Sequence, residues 1–214
     1  MSFKNTLNQF GWVSRSIHWI TAVLVLVVLV MGFWLTRAEL SLATIAYFGY
    51  HKTIGFVVLV LFVVRVVWHR YSPVPKSVES DSDLQNKLAH LVHRLFYCML
   101  IAMPLSGWIA SSATGIDSVI FNRWTVWSIA PTSEAIADFG FAVHAMLGKA
   151  LAGLVVLHVC GAMYHAFVLR DGTLRRMIIG ARMANENQSG HSTKADNGKP
   201  CRSNPTHAVL ENDL

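Results

Sequence analysis

The four long apolar runs of this 214-residue chain contain no aspartate and no glutamate, and only 14% of all its residues are charged. With 53% of the residues hydrophobic, that composition excludes an ordinary soluble core and fits an integral membrane protein. Cysteine is scarce and unpatterned. Cys98 and Cys160 lie within apolar runs and Cys201 lies near the C-terminus, with no close spacing. This excludes a disulfide framework and a cysteine zinc site. A cleavable leader is not expected, because the first apolar run begins late, exceeds an h-region, and is not followed by a small-residue cleavage pattern.

The apolar runs cover residues 17–36, 52–68, 88–110 and 139–169. Each is close to the roughly 20 residues that a membrane-spanning helix needs. The last is longer, so it tilts or projects past the bilayer. The expected fold is therefore an all-α, integral-membrane four-helix bundle spanning residues 1–180. From residue 181 to 214 hardly an apolar side chain occurs, which predicts a disordered cytoplasmic tail with no chemistry, His191 and His207 included.

A net charge of +6 would suggest nucleic acid in a soluble protein; here topology accounts for it. Lys4, Arg15, Arg65, Arg70, Lys76, Lys87, Arg94, Arg170, Arg175 and Arg176 gather on one side of the bundle. The other side receives Arg37, Lys52 and Arg123. The positive-inside rule then puts both termini in the cytoplasm, as four spans require.

Histidine carries the chemistry. His144 and His158 are fourteen residues apart in the fourth run. At 100° per residue they share one helix face, about 21 Å apart along the axis. Helix direction assigns depths to the rest: His18 opens the first helix on the inner side, and His51 opens the second on the outer side. Two pairs at matching depths follow, His51 with His144 and His18 with His158, each drawn from two helices. The other reading of His18 and Trp19 is an interfacial anchor. His90 and His93, three apart at the start of the third run, are candidate contacts for a quinone or for haem propionates, or are simply solvated at the interface. Arg65 is placed either to snorkel or to meet a cofactor carboxylate. Trp124, Trp127 and Phe121 in the long outer loop act as membrane anchors or as a lid.

Two imidazoles and no acid at each depth do not suit bare zinc or copper, which usually takes three or four protein ligands. Two trans imidazoles are what a six-coordinate b-type haem takes. The absence of a C-x-x-C-H motif excludes covalent c-type attachment. With both axial positions filled, such a centre shuttles single electrons. A divalent-metal transporter using histidines as stations is a rival, but it lacks the intramembrane acids such a path favours.

Several motifs together resemble the bacterial cytochrome b561 family. They are Arg15-Ser-Ile-His18-Trp19, His51-Lys52-Thr-Ile-Gly55, Leu88-Ala-His90-Leu-Val-His93, Pro104-Leu-Ser-Gly107-Trp108, and, in order along the end of the fourth run, Leu157-His158, His165 and Arg170-Asp-Gly-Thr-Leu-Arg175-Arg176-Met177. The likeness runs in order through residues 10–180. It implies a multi-pass protein of the bacterial inner membrane with two haem b groups, whose axial ligands map onto His18, His51, His144 and His158. Arg15, Lys52, His90 and His93 become candidate propionate or quinone contacts. For the stand-alone members the resemblance implies an oxidoreductase, or electron carrier, that takes electrons from superoxide on the outer side and gives them to ubiquinone. Lys52, Arg123 and Lys149 are placed to steer an anion toward the outer haem, or else pair with propionates or lipid headgroups. The family also contains cytochrome b subunits of hydrogenases and other dehydrogenases, so an electron-transfer subunit docking a redox partner protein is the alternative.

Overall fold

The computed structural model describes residues 2–6, 9–75, 83–121 and 123–180. Lys76, Cys201, His191, His207 and the expected tail lie outside the described residues. Four long helices dominate: α1 (Trp12–Leu35), α2 (Leu42–Tyr71), α3 (Asp83–Ala113) and α4 (Glu134–Tyr164). All four are long and apolar enough to cross a membrane. Consecutive helices pack as neighbours, with α3 on α4 and α1 on α2 making the broadest contacts and α1 touching α4 only lightly. The fold is mostly helical rather than wholly so. Between α3 and α4 lies a short antiparallel hairpin, β1 (Ser118–Ile120) and β2 (Trp124–Val126), in which Val119 opposes Thr125. After α4 come a π-helical turn, His165–Leu169, and a fifth short helix, α5 (Thr173–Ile178).

Helix α2 begins ten residues before its apolar run. Ser41 starts it: the Ser41 hydroxyl accepts from the Thr44 N–H, and the Thr44 side chain accepts from the Ser41 N–H. This capping box satisfies two of the amide donors that a helix start leaves open. The loop between α1 and α2 is accordingly short.

The hairpin is tied down by its backbone. The Phe121 N–H donates to Thr53 Oγ1 of α2, the Ile129 N–H to Ser112 Oγ of α3, and Trp108 Nε1–H to the Trp127 carbonyl. Ser118 and Ser111 hydroxyls meet at 2.9 Å. The side chains of Phe121, Trp124 and Trp127 stay exposed, which suits interfacial anchoring and not a lid.

At the opposite end the N-terminal lead-in is a clasp. Asn5 donates its N–H to Ser72 Oγ and its side-chain amide to the Ser72 carbonyl, and accepts from Gly11 N–H and the Ser14 hydroxyl. Trp68 Nε1–H reaches Ser14 Oγ, closing α2 onto the start of α1. We call this the basic end, after its arginines, and the other the hairpin end.

An apolar layer separates the two ends. Val25 and Leu29 of α1, Val58 of α2 and Leu151 of α4 form one buried cluster, flanked by Phe33, Ile54, Phe96, Met99, Leu100 and Met103. Leu151 stands seven residues from each of His144 and His158, midway between them. Residues on the outward faces, such as Val23, Val30, Val63 and Val156, are exposed in the isolated chain, as lipid-facing positions should be.

Candidate functional site

Four of the candidate histidines meet in two pairs. At the hairpin end, His51 of α2 and His144 of α4 have ring centroids 6.1 Å apart, with planes at 79°. At the basic end, His18 of α1 and His158 of α4 have centroids 6.4 Å apart, with planes at 63°. Both spacings can be set against a coordination geometry. An imidazole nitrogen lies about 1.1 Å from its ring centroid, and a metal–nitrogen bond is about 2.0–2.1 Å. Two rings trans on one metal therefore have centroids about 6.3 Å apart. The two observed separations straddle that value.

The hairpin-end rings are held by close backbone approach. A Cβ on Gly107 of α3 would come within 2.8 Å of His144 Cε1. A Cβ on Gly32 of α1 would come within 3.1 Å of His51 Cε1. The His144 ring thus lies in a seat that an added Cβ would displace, and the His51 ring in one that an added Cβ would crowd. His144 Nδ1–H donates to the Met103 carbonyl at 3.0 Å, with the Ser106 hydroxyl at 3.1 Å. That bond fixes the tautomer and leaves Nε2 with its lone pair, the arrangement of an imidazole prepared for metal. Pro104 places this carbonyl on a helix segment already short of one backbone donor. His51 Nδ1 is buried and has no partner among the described residues.

The basic-end pair lies in a different setting. Arg65 of α2 donates Nη1–H to His18 Nδ1 at 3.2 Å. Its Nε is buried and unsatisfied, and no acidic side chain among the described residues pairs with it. A guanidinium carried into an apolar span without an acid asks for an anionic group from a ligand. His93 of α3 approaches His158 with centroids 5.7 Å apart and planes at 90°, and Phe96 packs on the same ring at 5.2 Å. His93 Nδ1–H donates to the Ala89 carbonyl. The donor set and the centroid spacing fit a bis-histidine haem. The Arg65 contact uses the His18 Nδ1 lone pair, so His18 would ligate through Nε2 only once that hydrogen bond is released, which would free Arg65 for an anionic group of the ligand.

The other candidates are spread more widely. Lys52 stands beside His51 in α2, half-buried. His90 is exposed. Arg15 donates Nη1–H to the Ile178 carbonyl, and Trp19 Nε1–H donates to the Met177 carbonyl, so both hold the end of α5 against α1. Two polar contacts were not foreseen. Tyr97 of α3 and His69 of α2 meet at 3.4 Å. His165, at the end of the fourth span, hydrogen-bonds Asp171. Burial alone would raise the Asp171 carboxyl, but hydrogen bonds from His165 and Thr173 outweigh it and hold it below the ordinary carboxylate value. The sequence signal was the acid in Arg170-Asp171-Gly172, the first after the fourth span.

Comparison with known proteins identifies the family. Residues 9–180 match the family described as prokaryotic cytochrome b561. The chain is 31% identical over 186 residues to cytochrome b561 homolog 2 of Escherichia coli K12, covering 83% of this chain and 95% of that protein. It is 29% identical over 178 residues to the probable superoxide oxidase CybB of Yersinia pestis, covering 79% and 96%. It is 26% identical over 175 residues to cytochrome b561 homolog 1 of Escherichia coli K12, covering 80% and 98%. With four spanning helices and this match over nearly all the described residues, the chain belongs to the prokaryotic cytochrome b561 family, membrane electron-transfer proteins that carry b-type haem.

Proposed function

We propose that the protein is a two-haem electron conduit of the bacterial inner membrane that takes electrons from superoxide at the hairpin end and delivers them to ubiquinone. The observation that carries this reading is the pair of histidine–histidine separations, 6.1 and 6.4 Å, stacked at two depths about the apolar layer. The net reaction consumes two superoxide anions, one quinone and two protons and yields two dioxygen molecules and one quinol. His51 and His144 hold one haem and His18 and His158 the other. When bound, each haem supplies a one-electron store with no open coordination site.

The protein's own residues orient and insulate. The Met103 carbonyl keeps His144 in one tautomer, and Gly32 and Gly107 give its layer room. Arg65 offsets negative charge at the basic end, where His93 packs against His158 and is, with exposed His90, a candidate contact for the quinone or the propionates. Lys52 and Arg123, on a side otherwise poor in cations, attract a small anionic donor. The likeness to a probable superoxide oxidase supports that donor. The arginine asymmetry supports a cytoplasmic basic end with both termini of the helical unit inside.

The test is a reduced-minus-oxidised visible spectrum of the detergent-purified protein, with haem counted by pyridine haemochrome. Two low-spin b haems per chain, reduced by enzymatically generated superoxide and reoxidised by a short-chain ubiquinone, are expected. One haem per chain, or a colourless protein that binds divalent metal, overturns the reading.

A further inference from the structure

Three imidazoles meet at the basic end, and a haem takes two. His158 has His18 at 6.4 Å and His93 at 5.7 Å between ring centroids. The register of α3 on α4 explains the third. Ala110 lies against Gly140, Gly107 against His144 and Met103 against Gly148, so the two helices run in opposite directions and stay in step. His158 stands fourteen residues after His144, and His93 stands fourteen residues before Gly107. The same register therefore puts His93 against His158 as Gly107 is put against His144. The Ala89 carbonyl, fourteen residues before Met103, is likewise the counterpart of the carbonyl that holds His144. At the basic end that carbonyl is already taken, by His93 Nδ1–H at 2.6 Å.

That bond uses the His93 Nδ1–H and leaves Nε2 with its lone pair. Among the described residues neither ring nitrogen of His158 has a hydrogen-bond partner. A histidine that binds metal through Nε2 keeps an Nδ1–H, which such ligands almost always donate to a nearby acceptor. Phe96, one turn further along α3, packs on the same ring at 5.2 Å and offers none. An in-line N–H···N bond between two imidazoles has centroids about 5.1 Å apart, from a nitrogen–nitrogen distance of about 2.9 Å. The observed 5.7 Å is within a small ring rotation of it.

We propose that His93 is the positioning residue of the basic-end haem ligand: in the loaded protein the His158 Nδ1–H donates to His93 Nε2, and the Ala89 carbonyl anchors His93 in turn. This rests on the two-haem reading above. The bond sets the His158 tautomer and ring orientation, the service that the Met103 carbonyl gives His144. It also makes His158 a more basic ligand, which favours the oxidised iron and lowers its potential. His93 and Arg65 therefore act on one centre in opposite directions, the first through the ligand and the second through its field.

The experiment uses the haem-loaded protein in detergent. The wild type is compared with His93→Leu, which fills the space without an acceptor, and with His93→Gln, which offers a carbonyl. Each is titrated spectroelectrochemically, and its oxidised form is examined by low-temperature EPR. His144→Ala shows which wave belongs to the basic-end haem. Two haems per chain are expected in the wild type and both His93 variants. At a fixed applied potential, His93→Leu should raise the ratio of reduced to oxidised basic-end haem about tenfold, an upward shift of about 59 mV for one electron. The EPR signal of that haem should move with it, and the hairpin-end haem should not change. His93→Gln should recover most of the shift. A downward shift in His93→Leu overturns the assignment, because it marks His93 as a donor to a propionate. An unchanged potential, equal shifts in both variants, or loss of the basic-end haem from both overturns it as well. A wild type with fewer than two haems instead overturns the two-haem reading, and the role of His93 falls with it.

Discussion

The two ends of the bundle solve one problem, holding a pair of imidazoles about 6 Å apart, by different means. The hairpin end does it by fit. Gly107 and Gly32 let the rings sit against neighbouring backbone, and the Met103 carbonyl fixes the His144 tautomer. The basic end does it by charge and crowding: a guanidinium on His18, and a third imidazole and a phenyl ring around His158. A site built on fit tolerates added atoms poorly, and Lys52 is the cation beside its ligands. A site built around Arg65 tolerates packing changes better and has its electron affinity raised by a nearby positive charge. In the proposed two-haem reading, the Arg65 charge would draw an electron toward the basic end.

The strongest test of this contrast is steric. Gly107→Val puts a branched side chain where even a Cβ is only 2.8 Å from His144. It should remove the hairpin-end haem and leave one haem per chain by pyridine haemochrome, as His51→Ala and His144→Ala should. Two haems retained in Gly107→Val would mean that the seat is not tight. Gly32→Ala, at 3.1 Å, should be milder: two haems at purification, one of them lost more readily on heating.

A charge change comes next. Arg65→Gln should lower the midpoint potential of the basic-end haem on the order of 50 mV, from the loss of one cation in a partly screened interior. The hairpin-end potential should stay put in the same spectroelectrochemical titration. A parallel shift of both would erase the distinction between the ends.

Ser106→Ala should do less. His144 keeps its Met103 bond, so the cost is about 1 kcal/mol, read as a small drop in the thermal midpoint of haem retention.

The smallest effect is local and acidic. Hydrogen bonding holds the Asp171 carboxyl below its ordinary value, so its contribution is complete above the unfolded-state carboxylate range and disappears as pH falls through the lowered folded value. Amide exchange in residues 170–178 should rise on acidification below about pH 4, while α1–α4 stay protected. Asp171→Asn should show raised exchange there already at neutral pH.

Much of this was readable in the chain. The four spans follow from run length, and the fourteen-residue spacing of His144 and His158 with alternating helix direction was enough to match histidines by depth. Helix starts were less readable. Leu42-Ala-Thr-Ile-Ala-Tyr-Phe looks alike as apolar loop or helix, and only the reciprocal Ser41–Thr44 bonds decide it. Hydropathy reports the lipid-facing surface, so it is silent about glycines whose value lies in one tertiary neighbour, as with Gly32 and Gly107. Arg65 was legible as an odd charge, but its contact with His18 depends on how α1 and α2 pack. The His165–Asp171 pair needed a backbone reversal that no periodicity announces.

The layer of Val25, Leu29, Val58 and Leu151 has a consequence for energetics. Packed hydrocarbon between two charge stores is the dielectric of a capacitor. If the two histidine pairs hold haems as proposed, an electron crossing this layer from one pair to the other would move net charge through the membrane's electric field. The membrane voltage therefore acts on that step, by some share of about 2.3 kcal/mol per 100 mV. Under the proposed function, with the basic end inside, transfer toward the quinone would run against a negative interior, so an energised membrane would slow the protein and a depolarised one would release it.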